Sequence, residues 1–439
     1  MTDDDTPWMR LLRELFGDDA ERALEELKNM GLDPQTLAAA SGMEASPAMM
    51  DHVLGQIRSL MSQSEGQDVN WNLAHDVARG VAAQGGDPTV TAALAASHRS
   101  AVSSAELWLD AATDFNPSRL EPHVWSRAEW VEATLSTWRM LAGPVAVSVS
   151  HALSTILRAE ADDGAAEGLI TTIAPTVCGM HMGQAAGQAA RETFGATDLG
   201  IPLLTEPRVV LVPSTIAAFA QGLDLDDDEV RAFVALREAA HVRLFQAAPW
   251  LPGQLHSLIE RYASGISIDL EALDEAVSRA GAGDPAALQR ALTRGIFTTH
   301  HTDEQAATLE QIETWLALIE GWVDEVTAVA AAPHLASIGA LREMMRRRRA
   351  AGGPAEDAFS NLLGLDLRPR RLRDASAMWT ALTRTLGRDD RDRIWSHPDL
   401  PPNPDQLAAW EEWVAAKAAG GDDVDRELER MLGGGEDDA

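Results

Sequence analysis

From Trp71 onward, apolar residues return at three- and four-residue spacing in one segment after another. That period matches an α-helical turn, so each segment offers one apolar stripe to a core. Leu73, Val77 and Val81 make one stripe, and Val90, Leu94 and Ala95 open another. Ala105, Trp108, Leu109 and Ala112 suit a further helix, ended near Asn116-Pro117. Trp130, Leu135, Trp138 and Leu141 follow, and Pro144 is placed to start the next helix, through His151 and Leu157. Strand signals are scarce. The best is Pro207 to Pro213, a short β-branched run between prolines, and no two-residue hairpin turn is present. The expected fold class is therefore mainly α, with a small strand element near Val209. Between Gly179 and Phe194 small residues dominate, which lets another backbone approach closely.

A chain of 439 residues is long enough for two or three structural units. Residues 1–66 read as an acidic helical N-terminal segment, with Trp8, Leu11, Leu12, Leu15 and Phe16 at helical spacing, and a polar linker from Ser62 to Asn70. Residues 67–432 read as the main helical domain and 433–439 as a disordered acidic tail.

Charge narrows the partners. Asp+Glu is 68 against a Lys+Arg of 36, a net charge of −32. Only Lys28 and Lys417 are lysines, so 34 of the positive charges are arginines. A chain this acidic is a poor nucleic-acid binder, whose affinity comes largely from neutralised phosphates. Docking to an anionic membrane is disfavoured for the same reason. The expected ligand is a peptide or a small molecule. Cys178 is the single cysteine, which excludes an intramolecular disulfide and any multi-cysteine metal site. No signal-peptide pattern opens the chain and no apolar run approaches a membrane span, so a soluble cytoplasmic protein is expected.

The central helix carries the chemistry. Asp226-Asp227-Asp228-Glu229 reads as a capping box, with Asp226 at the N-cap and Glu229 reaching back. At about 100° per residue, Val230, Phe233, Val234 and Leu244 define the buried stripe. Arg237 and His241, one turn apart, fall inside that stripe, and Glu238 sits at its edge. A buried charge left unpaired costs several kcal/mol, so something must meet Arg237. By spacing alone, this is either a buried ion-pair network or a site.

Arg237-Glu238-Ala239-Ala240-His241 resembles the His-Glu-x-x-His motif of zincin metallopeptidases. The longer string Leu236 to His241, with Arg243-Leu244-Phe245 and Pro249-Trp250-Leu251, resembles the zincin-like hydrolase family of high-GC bacteria. Leu318 to Val326, Arg346 to Pro354 and Gly364 to Leu372 look like the same family, over roughly Trp71 to His397. The resemblance implies a zincin-like helical domain. It also implies that His241 matches the second zinc ligand and Glu238 the general base. Glu320 is the candidate third ligand, on a helix opened by a Thr302-x-x-Gln305 capping box. Asp324 lies one turn further on the same side, and Gly321 permits a close helix approach.

Arg237 stands where the first ligand would be, and a guanidinium has no lone pair to offer a metal. Two readings follow. In the first, Arg237 replaces the cation, bridging Glu238 and Glu320, and the protein is an inactive or impaired pseudoenzyme with a binding role and no cofactor. In the second, an active peptidase-like hydrolase recruits zinc or another divalent ion through His241 and Glu320, with Glu238 as base.

Other features have plainer explanations. His300-His301 suits a loop or a cap; His256 and Tyr262 suit packing; Cys178 suits a packed thiol. Arg342, Arg346, Arg347, Arg348, Arg349, Arg368, Arg370, Arg371 and Arg373 gather within a short stretch. They suit pairing with the protein's own acidic helices or, alternatively, a phosphate or acidic peptide. Trp410 and Trp413, three apart, suit a helix–helix contact.

Overall fold

The computed structural model of the chain describes residues 67–160, 167–223, 225–264, 302–351 and 371–419. The acidic N-terminal segment, the tail, His300-His301, Gly352 to Pro354, Arg368 and Arg370 lie outside them.

The described chain is helix after helix, as the periodicity requires. In order it runs α1 (Trp71–Ala82), α2 (Ala92–Leu109), β1 (His123–Val124), α3 (Arg127–Glu160), α4 (Glu167–Ala190) and β2 (Val210–Leu211). There follow α5 (Pro213–Ala220), α6 (Asp227–Ala247), α7 (Trp250–Ser264), α8 (Asp303–Ala331), α9 (Ile338–Ala351), α10 (Leu372–Arg393), α11 (Pro404–Ala408) and α12 (Trp410–Ala418). The strand element is real but short. His123 pairs with Val210 and Val124 with Leu211, in parallel.

Three sequence expectations change. The two stripes read from Val90 and from Ala105 merge into one helix, α2, which leaves out Val90 and Ala112, stops at Leu109 instead of near Asn116-Pro117, and is capped by the Thr91 hydroxyl accepting from the Leu94 amide. Pro144 does not start a helix; it lies inside the 34 residues of α3. Proline removes one backbone donor, and a long helix packed on α1, α4 and α7 absorbs that loss. Asp226 does cap α6, accepting from the Asp228 and Glu229 amides. The Glu229 carboxylate, however, accepts from the Ser337 amide at 3.0 Å instead of closing the capping box. The Thr302–Gln305 box on α8 is complete in both directions.

Helix α6 sits at the centre. It is buried all round from Phe233 to Phe245, wider than the stripe its periodicity suggested. A helix enclosed on every side must bury its polar residues too, and those require partners. Around it, α2, α5, α8 and α10 share one apolar core, anchored by Trp322, Trp379 and Trp395. A second core joins α1, α3, α4 and α7 around Trp130, Trp138 and Tyr262. There Gly179, Gly183 and Gly187, four apart, bring α4 against the α1 backbone. A Cβ at Gly183 would stand 2.4 Å from the Ala74 carbonyl oxygen. Gly321 likewise lets α8 press on α10, where a Cβ would meet that of Ala375 at 2.8 Å.

Candidate functional site

Arg237 and His241 point from α6 toward α8, where Glu320 receives both. Arg237 Nη2 donates to Glu320 Oε2 at 2.6 Å. His241 Nε2 lies 3.1 Å from Glu320 Oε1. Its Nδ1 lies 2.9 Å from the Arg237 carbonyl oxygen, one turn back. Both partners of the ring are oxygen acceptors. Arg349, arriving from α9, adds a third donor to Glu320 at 3.1 Å. Arg237, His241, Glu320 and Arg349 are all at most 6% exposed at their side chains. Burial raises the Glu320 carboxyl, but Arg349, Arg237 and the His241 bond override it. They hold Glu320 well below the usual carboxylate range.

Glu238 faces elsewhere. Adjacent side chains on a helix diverge by about 100°, so Arg237 cannot bridge Glu238 and Glu320 as the first reading had it. Glu238 instead enters the loop after α4. Its Oε1 accepts from the Ala196 and Thr197 amides at 2.9 and 3.2 Å. Its Oε2 accepts from the Thr197 hydroxyl at 2.6 Å. Gly195 makes the space, since a Cβ there would stand 2.4 Å from Glu238 Cδ. The loop is pinned by the Trp130 indole, which donates to the Gly195 carbonyl oxygen at 2.9 Å. Burial pushes the Glu238 carboxyl up to about 8, with Asp198 adding to the rise against the pull of its donors.

Asp198 links the two carboxylates into one buried cluster. It accepts from Arg348 at 3.1 Å and from Arg349 at 3.3 Å. Its other task is local, accepting from the Phe194 amide at 3.1 Å. Burial works against its charge, yet Arg348 and Arg349 hold its carboxyl below the ordinary value. Asp324 belongs to the same side of α8 but is clasped by Arg342, at 2.9 and 2.8 Å. Arg342, overcoming burial, holds it below the ordinary value too. Thus the arginines of α9 pair with the protein's own acids.

The donor set does not fit zinc. Among the described residues no three His, Cys, Asp or Glu side chains are grouped to hold a metal. His241 and Glu320 face each other, but Arg237 and Arg349 bring two positive charges to the same carboxylate. A dication there would have to displace both. Both Glu238 oxygens already accept from the Ala196–Thr197 loop, on the side away from Glu320.

The remaining candidates resolve as packing. His256 Nε2 lies 3.4 Å from the Pro202 carbonyl oxygen, away from the cluster. Tyr262 is buried in the second core. Burial pushes the Cys178 thiol up to about 12, so it is not a nucleophile at neutral pH. Sequence reasoning placed Glu320 opposite Arg237. It missed Asp198, Thr197 and Gly195, which sit in a loop without periodicity, and it noticed Arg349 only as one of a run.

No curated protein matches the chain. The crystal structure of a "putative hydrolase with a novel fold" from Chloroflexus aurantiacus aligns with a TM-score of 0.57 at 19% identity. The match covers 80% of this chain and 98% of that one, a likeness of fold. No helix among the described residues is long and apolar enough to cross a membrane. A family profile for zincin-like metallopeptidases matches residues 69–414. That is most of the 439 residues, and the chain belongs to the zincin-like metallopeptidase family.

Proposed function

We propose that this family member has lost metal-dependent hydrolysis and serves in the cytoplasm as a binding protein for a peptide or small molecule. One observation carries the reading. Arg237, at the position of the first histidine, donates to Glu320 at 2.6 Å, and Arg349 joins it at 3.1 Å. Two guanidiniums neutralise the carboxylate a zinc ion would need. The net charge of −32 supports a partner that is neither nucleic acid nor an anionic membrane surface.

The other reading is an active hydrolase with zinc on His241 and Glu320 and with Glu238 as base. It has one observation in its favour: a carboxyl at about 8 titrates where general bases work. Against it, both Glu238 oxygens are engaged by the Ala196–Thr197 loop.

Metal analysis of the purified full chain, loaded with zinc and then dialysed, separates the two. The expected result is no stoichiometric zinc and no zinc-stimulated cleavage of a casein substrate. One zinc per chain, lost in His241→Ala, overturns the proposal.

A further inference from the structure

Helix α3 carries an apolar stripe on its outer side. Met140 is 49% exposed, one of four large apolar side chains exposed among the described residues. Pro144 and Val147, one and two turns further on, are half-buried. Trp71 of α1 borders them, its ring 3.9 Å from where a Cβ of Gly143 would stand. Trp71 and Val147 both pack against the second core, so the stripe is that core's outer edge. The Arg139 guanidinium lies over the Trp71 ring at 5.3 Å and extends this edge. Pro144 has no amide proton, which leaves the Met140 carbonyl without its usual donor four residues on.

The chain before residue 67 reaches the body on this same face. His151 Nε2, one turn of α3 beyond Val147, lies 2.8 Å from the Asp68 carboxylate. The Asn70 amide, donating to the Pro175 carbonyl oxygen at 3.0 Å, fixes the entry. Just upstream in the sequence, Met50, Val53, Leu54, Ile57, Leu60 and Met61 recur at helical spacing. At about 100° per residue they fall within an arc of about 120°, with His52 and Ser59 opposite. As a helix, residues 50–61 would span about 18 Å, and Met140 to His151 covers about 16 Å along α3. The stretch from Ser62 to Gln67 can reach about 20 Å, enough to turn the segment back along the stripe.

We propose that residues 50–61 form an amphipathic helix that docks, within the same chain, on the α3 stripe of Met140, Pro144 and Val147. A helix this short is marginal in water by itself and needs an apolar surface to lie on. Methionine side chains are unbranched and adaptable, which suits Met50 and Met61 to a stripe led by Met140. Tethered through Ser62 to Gln67, the segment meets the stripe at an effective concentration in the millimolar range. A second copy of the chain at micromolar concentration has no such advantage. The Trp8 to Phe16 stripe has less of it, since about 50 residues separate it from Asp68. Docked on α3, residues 50–61 would cover the outer edge of the second core.

The test uses the full chain carrying Met140→p-benzoylphenylalanine, irradiated as an equal mixture of ¹⁵N-labelled and unlabelled protein and read by peptide mass spectrometry. Expected are cross-links to residues 50–61 in which both peptides come from one chain. Cross-linked peptides of mixed isotope overturn the proposal in favour of a second copy. Cross-links only to Trp8–Phe16, or none to residues 50–61, overturn it outright. Hydrogen exchange on the full chain gives a second readout. Met140→Asp should speed exchange of the residue 50–61 amides about ten-fold. Leu107→Asp, at a more exposed apolar site on α2, should leave them unchanged. Unchanged exchange in Met140→Asp, or an equal rise in Leu107→Asp, overturns the proposal.

Discussion

Arg237 and Glu320 are 83 positions apart in the chain and 2.6 Å apart at their charged ends, with both side chains buried. Two charges taken out of water gain little net stability from each other, but removing one is expensive because the other stays. Glu320 is the more critical of the two, since it also answers Arg349 and His241.

Glu320→Gln should therefore destabilise the fold by about 3–5 kcal/mol, because three donors would face one neutral amide oxygen. Urea denaturation of both proteins measures it. A loss below about 1 kcal/mol, the level of an exposed pair, would mean that water reaches the cluster.

Arg237→His restores the family's first ligand position and removes one of the two guanidiniums on Glu320. Zinc titration by calorimetry should show a gained site in this variant and none in the parent. The site should weaken again when His241→Ala is added. A variant that gains no zinc affinity would mean that Arg349 alone is enough to exclude the metal.

The buried carboxyls act in separate pH windows. Glu238 is raised from an ordinary 4.5 to about 8, so the folded state keeps a proton that the unfolded chain releases. Its contribution is complete below about 4.5 and is lost as pH rises toward 8. Asp198, Glu320 and Asp324 are lowered, so their contribution is present above their ordinary values of about 4 and is lost on acidification. Denaturation midpoints measured from pH 3 to 9 should therefore fall on both sides of a maximum near pH 5. In Glu238→Gln the decline between pH 5 and 8 should flatten while the acid limb stays. A parent protein with no decline over that range would show that the Thr197 and amide bonds keep Glu238 ionised.

Two glycines of the same type should respond with opposite signs. Gly183→Ala places a Cβ 2.4 Å from the backbone oxygen of Ala74, so α1 and α4 must part, at a cost of about 1–3 kcal/mol. Gly80→Ala on α1 meets nothing within 4 Å and should gain about 0.4–1 kcal/mol. Thermal melts of the pair test the reading, and a destabilising Gly80→Ala would contradict it.

What could be read in advance follows from the range of the forces involved. Helices are local, so period, the Thr302–Gln305 box and the Asp226 cap were all legible. The pairing of Arg237 with Glu320 was legible because a buried arginine demands a carboxylate and Glu320 shares the inward side of its own helix. Where the competitor was tertiary, local rules misled. Glu229 abandons its capping box for the Ser337 amide, which no local pattern reveals. Glu238 turns to a loop whose shape is set by Gly195 and the Trp130 indole, one of them on a different helix. Pro144 looked like a start because its cost in a helix interior is real. Packing along the rest of α3 outweighs it.

The arginines of α9 have one more consequence, for the order in which the molecule can close. Asp198, Glu320 and Asp324 are all earlier in the chain than Ile338, yet Arg342 and Arg348 neutralise Asp324 and Asp198, and Arg349 joins Arg237 on Glu320. As the chain leaves the ribosome, everything through α8 can emerge and coil while Asp198 and Asp324 still lack their counterions and Glu320 has only Arg237 and His241. Only when α9 arrives does the centre hold a balanced set of charges. The last helix to reach the buried cluster thus acts as a completion signal, and a chain cut short before it would expose its own acidic interior to water.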